Sequence, residues 1–259
     1  MKRLDADKPR SLGIVLSHGA FHLPSCFDEV KRRLEAAGFS PVIAVRHPSV
    51  GTDPNITVED DGHNIQVALD PYLDQGKDFL AIAHSYGGTP LTIAAQGYSK
   101  AERQARGIKG GIRAVIFVTS NIPQKKGDSA LSVLPPGLDI VDFANGLATA
   151  NAKAREAFYG PHMADDVADS FMSALLPQSE EALLGPVSVG LEDLTVPAYY
   201  VICENDRAID PDTQRNIVDM IPTLKRVLHN PGGHSAFITH VNEFIDQVLG
   251  IADELEIWD

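Results

Sequence analysis

The sequence predicts an α/β fold: a mostly parallel, doubly wound sheet carrying a helical cap insertion. Three observations point to it. Short apolar runs alternate with amphipathic stretches over residues 1–120 and again over 196–259, the rhythm of strands joined by right-handed helical crossovers. Between these halves, residues 121–195 show no buried-strand pattern and read as helices divided by Gly160-Pro161 and Pro177. At Asp78 to Pro90, DFLAIAHSYGGTP, an apolar run turns sharply through small residues into a helix, with a serine at the apex.

In chain order, Gly13 to Ser17 is a short β-branched run and reads as a buried strand. A loop from His18 to Pro24 follows, and Ser25 is placed to N-cap a helix with Phe27, Val30, Leu34 and Ala37 on one face. Pro41 to Val45 is the second strand, and Val58 to Leu73 is helical by pattern. The serine turn comes next, with Thr89 to Tyr98 as the helix behind it. Ser99 to Gly111 is charged and reads as a surface connection, and Ile112 to Val118 is a further buried strand. In the cap, Asn145 to Tyr159 and Met163 to Leu176 read as helices. The core resumes with a strand at Pro197 to Cys203, a helix at Pro211 to Ile221, a strand at Leu224 to Leu228 and a final amphipathic helix.

The composition narrows the function classes. A chain of 259 residues with 44% hydrophobic content supports a substantial core. A formal charge of −13 without a basic block argues against nucleic acid and anionic membranes as partners. The two cysteines, Cys26 and Cys203, cannot form a disulfide framework, and no apolar stretch has the length of a membrane span or a signal peptide core. A cytoplasmic chain acting on a small molecule is expected, and a homodimer is allowed.

The serine stretch carries the chemistry. Small residues belong two places before and after an apical serine, because the turn brings backbone against backbone; Ala83 and Gly87 stand there, so the G-x-S-x-G pattern is met with one departure. A serine hydroxyl needs a base, and the base needs an orienting carboxylate. His234 follows the last strand and a Gly-Gly turn, and is the expected base. His84 adjoins the serine and is expected to face away from it. Glu204, Asp206 and Asp210 crowd one loop after a strand; Asp206 is the favoured acid, while Asp210 is placed to cap the helix at Pro211. The backbone N–H groups of Tyr86 and Ala20 are placed to hold an oxyanion. His18 and His22 lie in a Gly- and Pro-bearing loop without an acidic partner, so no metal and no cofactor is expected. Cys26 lacks a turn that would expose it as a nucleophile.

The run SHGAFHLPSCFDEVKRRLEAAGF resembles the opening of the plant methylesterase and hydroxynitrile lyase family of α/β-hydrolases. AHSYGG is similar to the nucleophile elbow of that family, and VPAYYVICENDRAIDPDTQRNIVDMIP to its acid strand and following helix. The resemblance covers most of the core and only weakly the cap. It implies Ser85, Asp206 and His234 as a catalytic triad, with Ala20 and Tyr86 as oxyanion donors. It also implies a choice of chemistry. Lyases of the rubber-tree type carry threonine where Ala20 stands and lysine directly after the catalytic histidine, where this chain has Ser235. The expected activity is therefore that of a carboxylesterase cleaving a small, largely apolar ester through an acyl-enzyme. Lactone opening, carbon–carbon bond hydrolysis, lyase chemistry and ligand sensing without turnover are the alternatives. Phe21, Leu23, Met163, Phe171 and Met172 are the expected pocket residues.

Overall fold

Six parallel strands form the main sheet in the order β2-β1-β3-β4-β8-β9: β1 Leu12–Ser17, β2 Val42–Val45, β3 Asp78–His84, β4 Gly111–Val118, β8 Ala198–Cys203 and β9 Leu224–Asn230. The computed structural model describes residues 9–134 and 139–257. The strands in the middle of the sheet are nearly continuous apolar runs because helices cover both faces. On one side α2 (Val58–Leu73), α3 (Gly88–Ala94) and α8 (Pro211–Asp219) bury Ile65, Leu69, Leu91 and Ile217 against Phe79, Phe117 and Tyr200. On the other, α1 (Asp28–Ala36) and α10 (Val241–Ile257) bury Val30, Leu34, Phe244 and Val248 against Ile14, Leu80 and Ile116.

The caps explain several boundaries. Thr57 and Asp60 form a reciprocal capping box at the start of α2. Asp210 accepts from the N–H groups of Asp212 and Thr213 at the start of α8, as its position before Pro211 predicts. Ser25 does not play this part. Residues 24–27 form a 3₁₀ turn and α1 starts without a side-chain cap. The charged connection after α3 holds a short helix, α4 (Lys100–Ala105), with its own capping box from Ser99 and Glu102.

The insertion carries helices α5 (Ala154–Tyr159), α6 (Asp165–Ser173) and α7 (Glu180–Leu184), and also a small antiparallel sheet that its sequence pattern does not announce. Strands β5 (Val141–Ala144) and β6 (Leu147–Ala150) form a hairpin through Asn145 and Gly146, at φ 55° and 74°. Two successive residues at positive φ suit the twist of a tight hairpin. The third strand, β7 (Gln178–Ser179), pairs with β6 and bridges to Val50 of the core. The N–H of Ser179 donates to Ser49 and that of Gly51 to Pro177, so the cap is stitched to the loop after β2. One apolar cluster joins the two, with Phe21, Tyr86 and Ile93 from the core packed against Phe158, Tyr159 and Leu183 from the cap. Among the described residues, no helix is long and apolar enough to cross a membrane.

Candidate active site

Ser85 follows the last residue of β3 and opens α3 through one 3₁₀ turn, at φ 51°. A non-glycine residue is rarely held there, and such strain survives only where its surroundings over-determine it. The surroundings are tight. A Cβ on Gly87 would lie 2.5 Å from the carbonyl oxygen of Ser17, and one on Gly88 would lie 2.6 Å from that of Asn121. Ala83 fits because it sits in regular strand geometry, in register with Ser17 and Phe117. Gly19 is also tight: its Cβ would stand 2.9 Å from His84 Nδ1 and 3.2 Å from the Cβ of Ser85. The loop His18-Gly19-Ala20 thus packs against the side chains of His84 and Ser85, with no room for a side chain at Gly19.

The acid and the histidine meet across the ends of β8 and β9. His234 Nδ1 lies 2.8 Å from Asp206 Oδ2, with both side chains buried. Asp206 Oδ1 accepts from the N–H groups of Ala208 (2.7 Å) and Ile209 (2.9 Å), and Oδ2 accepts from the Thr119 hydroxyl at 2.6 Å. Thr119 is itself held at φ 38°, a strained setting for a β-branched residue. The two loops are tied together: Asn205 N–H donates to Gly232, and Glu204 N–H donates to Asn230. The rival carboxylates are engaged elsewhere. Glu204 pairs with Arg215 and His229 at the surface, and Asp210 caps α8.

His84 is bonded to the backbone of His234. It lines the same cavity as Ser85, and its Nε2 lies 2.9 Å from the carbonyl oxygen of His234, to which it donates. Its ring packs 4.7 Å from that of His234. Phe158 of α5 also stacks on His234, at 5.5 Å and 25°.

A buried polar network, which the sequence reading did not find, anchors the residues beside the serine. Asp61 accepts from the N–H of Ser49 (2.9 Å), the Ser49 hydroxyl (2.6 Å) and the Tyr86 hydroxyl (2.6 Å). Gln178 Nε2 donates to the Ser49 hydroxyl at 2.9 Å, and Gln178 Oε1 accepts from the N–H of Phe21 at 3.0 Å. One network therefore holds the residue after Ser85, the residue after Ala20 and a strand of the cap. Burial and the nearby Asp61 charge push the Tyr86 phenol well above its usual range, so it stays a donor. In sequence, Asp61 looks like one more acidic residue in the first turn of α2.

The histidines of the opening loop are engaged in the protein. His18 Nδ1 donates to the Gly19 carbonyl (2.9 Å), and its Nε2 accepts from the N–H of His47 (3.2 Å). His22 Nδ1 donates to the Ala20 carbonyl, and its Nε2 accepts from Tyr159 of the cap. The described residues hold no cluster of metal-ligating side chains. The Cys26 thiol is pushed far up by burial, which keeps it protonated and unreactive.

These histidines make stability depend on pH. Burial pulls His22 down to about 4 and lowers His18, His84 and His47 as well. In the unfolded chain each takes a proton near the ordinary value of about 6.5, while the folded protein does not. Their contribution is therefore intact above that value and is lost as pH falls toward the folded value of His22. The melting temperature is expected to drop steadily as pH falls from about 6.5 to about 4. A flat profile across that window would remove this account.

Ser85, His84, His234, Ala20 and Phe21 line one cavity of about 250 Å³ beneath the cap. Its remaining wall is mostly apolar, with Leu131, Leu134, Ile140, Val141, Phe158 and Ile209. Of the five expected pocket residues only Phe21 lines it. Leu23 and Phe171 face a separate cavity of about 130 Å³. Met163 and Met172 pack, half-buried, against the cap cluster. The reason is the unexpected cap sheet: it brings Ile140, Val141 and Phe143 into the wall of the cavity, while no residue of α6 lines it.

The sequence profile described as the Alpha/beta hydrolase family matches residues 14–247. The chain belongs to the alpha/beta hydrolase family. Among its relatives are a "Probable hydrolase R7" of Phoma sp., 25% identical over 80% of this chain and 83% of that protein, and "Methylesterase 9" of Arabidopsis thaliana, 24% identical over 93% and 98%. Crystalline polyneuridine aldehyde esterase superimposes with a TM-score of 0.75 at 17% identity, covering 95% of this chain and all of that one, a likeness of fold. This alpha/beta hydrolase thus keeps the fold of methylesterase-type enzymes, and it is a hydrolase.

Proposed function

We propose that this alpha/beta hydrolase is a carboxylesterase that cleaves a small, largely apolar ester through an acyl-enzyme on Ser85. The observation that carries the reading is a serine at a strained apex, opening onto the same cavity as a buried histidine whose Nδ1 is committed to Asp206. With Nδ1–H donated to the carboxylate, Nε2 is left as the base. It takes the Ser85 proton as Oγ attacks the acyl carbon, and returns it to the departing alcohol. The N–H groups of Tyr86 and Ala20 receive the oxyanion, on loops braced by the Asp61 network. Water then attacks the acyl-enzyme by the same proton path in reverse and releases the acid. Asp206 stays ionised and stabilises the imidazolium each time it forms.

Ester hydrolysis is favoured over cyanohydrin cleavage on charge. A lyase gains from a cation beside the histidine to hold departing cyanide. Here the follower is Ser235, and residues 231–259 contain neither lysine nor arginine. Side-by-side assays of p-nitrophenyl acetate, a methyl aryl ester, a γ-lactone, a β-diketone and mandelonitrile test the reading. Ester turnover without mandelonitrile cleavage is expected. Rapid cyanohydrin cleavage with inert esters, or ligand binding without any turnover, would overturn it.

A further inference from the structure

Asn121 stands three residues beyond β4, and its backbone is locked to the elbow on both sides. Its N–H donates to the Ser85 carbonyl at 3.0 Å, and its own carbonyl accepts from the Thr89 hydroxyl at 3.2 Å. The residue is 3% exposed and lines the cavity that holds Ser85 and His234. Its side-chain oxygen is buried without a hydrogen-bond partner among the described residues. Other polar side chains of that wall are engaged: His22 through both ring nitrogens, and the Tyr86 hydroxyl through Asp61. His84 Nδ1 also has no partner, but it is covered by Gly19, whose Cβ would stand 2.9 Å from it. Asn121 thus carries an unpartnered side-chain oxygen in a mostly apolar wall, on a backbone tied to the peptide of the serine itself.

Leaving such a group unpaired is costly, and an apolar substrate would keep it so. A carboxamide offers an acceptor and a donor at interchangeable ends, and a hydroxyl group can meet either one. We propose that Asn121 is a specificity-determining residue that binds a hydroxyl group on the substrate close to the scissile carbonyl, making a short-chain hydroxy ester the preferred class. The inference rests on the esterase reading above. It predicts discrimination against the matching ester that lacks the hydroxyl, because binding that ester leaves the buried side-chain oxygen unpaired.

The test compares methyl butyrate with methyl 2-hydroxybutyrate and methyl 3-hydroxybutyrate, reading the ratio of kcat/KM for hydroxy over plain ester. The better hydroxy ester should be favoured by roughly tenfold to a hundredfold in the wild type. In Asn121→Leu, which keeps the branched shape, and in Asn121→Ala, which cannot overpack should leucine fail to fold, the ratio should fall to about one. A wild-type ratio near one for both hydroxy esters, or a preference surviving in both variants, overturns the proposal. If no ester turns over, the esterase reading fails on its own, and recognition is read by calorimetric titration of Ser85→Ala with the same three compounds. Tighter binding of a hydroxy ester, lost when Asn121→Leu is added, upholds the role of Asn121; equal binding of all three refutes it.

Discussion

Ser85→Ala is expected to lower kcat by roughly 10⁴–10⁶-fold while leaving the fold and ligand binding nearly intact. The serine is buried at the elbow, but among the described residues its hydroxyl makes no hydrogen bond that holds the turn. The turn is held by close backbone approaches at Gly87 and Gly88 and by the Asn121 N–H on the Ser85 carbonyl. Removing one oxygen therefore removes chemistry and little packing. Alanine at φ 51° is strained much as serine is, so the melting temperature should change little. The measurement is a single-turnover and steady-state assay of the ester that the wild type cleaves best, beside a thermal melt. Survival of a tenth of wild-type kcat with an unchanged melt would take the nucleophile role from Ser85.

Asp206→Asn is the second large effect, with an expected loss near 10⁴-fold in kcat. The carboxylate does two things that an amide cannot do together. Its Oδ2 accepts from His234 and from Thr119, and in the proposed mechanism its charge stabilises the imidazolium. An asparagine whose NH₂ faces His234 would donate to Nδ1, select the wrong tautomer and leave no free base. An asparagine turned the other way would set its NH₂ against the N–H groups of Ala208 and Ile209. Asp210→Asn is the control. That residue caps α8, and asparagine caps about as well as aspartate, so activity should hold and stability should shift by less than about 1 kcal/mol. If Asp210→Asn cripples the enzyme while Asp206→Asn does not, the acid is one turn further on than proposed.

Much of this was legible in the residues because the core is written in short-range patterns. The strand ends, the serine turn and the cap of α8 each follow from a few neighbouring residues. The order serine, acid, histidine, each just after a strand, is read directly from the residues and is the one expected of an α/β-hydrolase. The cap resisted reading for a physical reason. Residues 145–159, NGLATANAKAREAFY, are rich in alanine and favour a helix locally. The first part instead forms β6, because β5 and β7 are there to pair with it and Val50 extends the pairing into the core. The Asn-Gly pair flanked by two four-residue runs was a usable hairpin signal. Strands that short, with little apolar content, do not stand out beside a helical composition.

By itself, then, the sequence determined the α/β core, the elbow serine and the residues that follow the strands at Asp206 and His234, since each depends on local periodicity and turn chemistry. Only the tertiary structure decided what surrounds them. Phe158 on His234, the link from Asp61 through Ser49 to Gln178, and the Asn121 N–H on the Ser85 carbonyl join residues far apart in the chain. Such neighbours are set by how the cap sheet settles on the core. That depends on pairing and burial summed over the whole insertion, and no short window of residues encodes it.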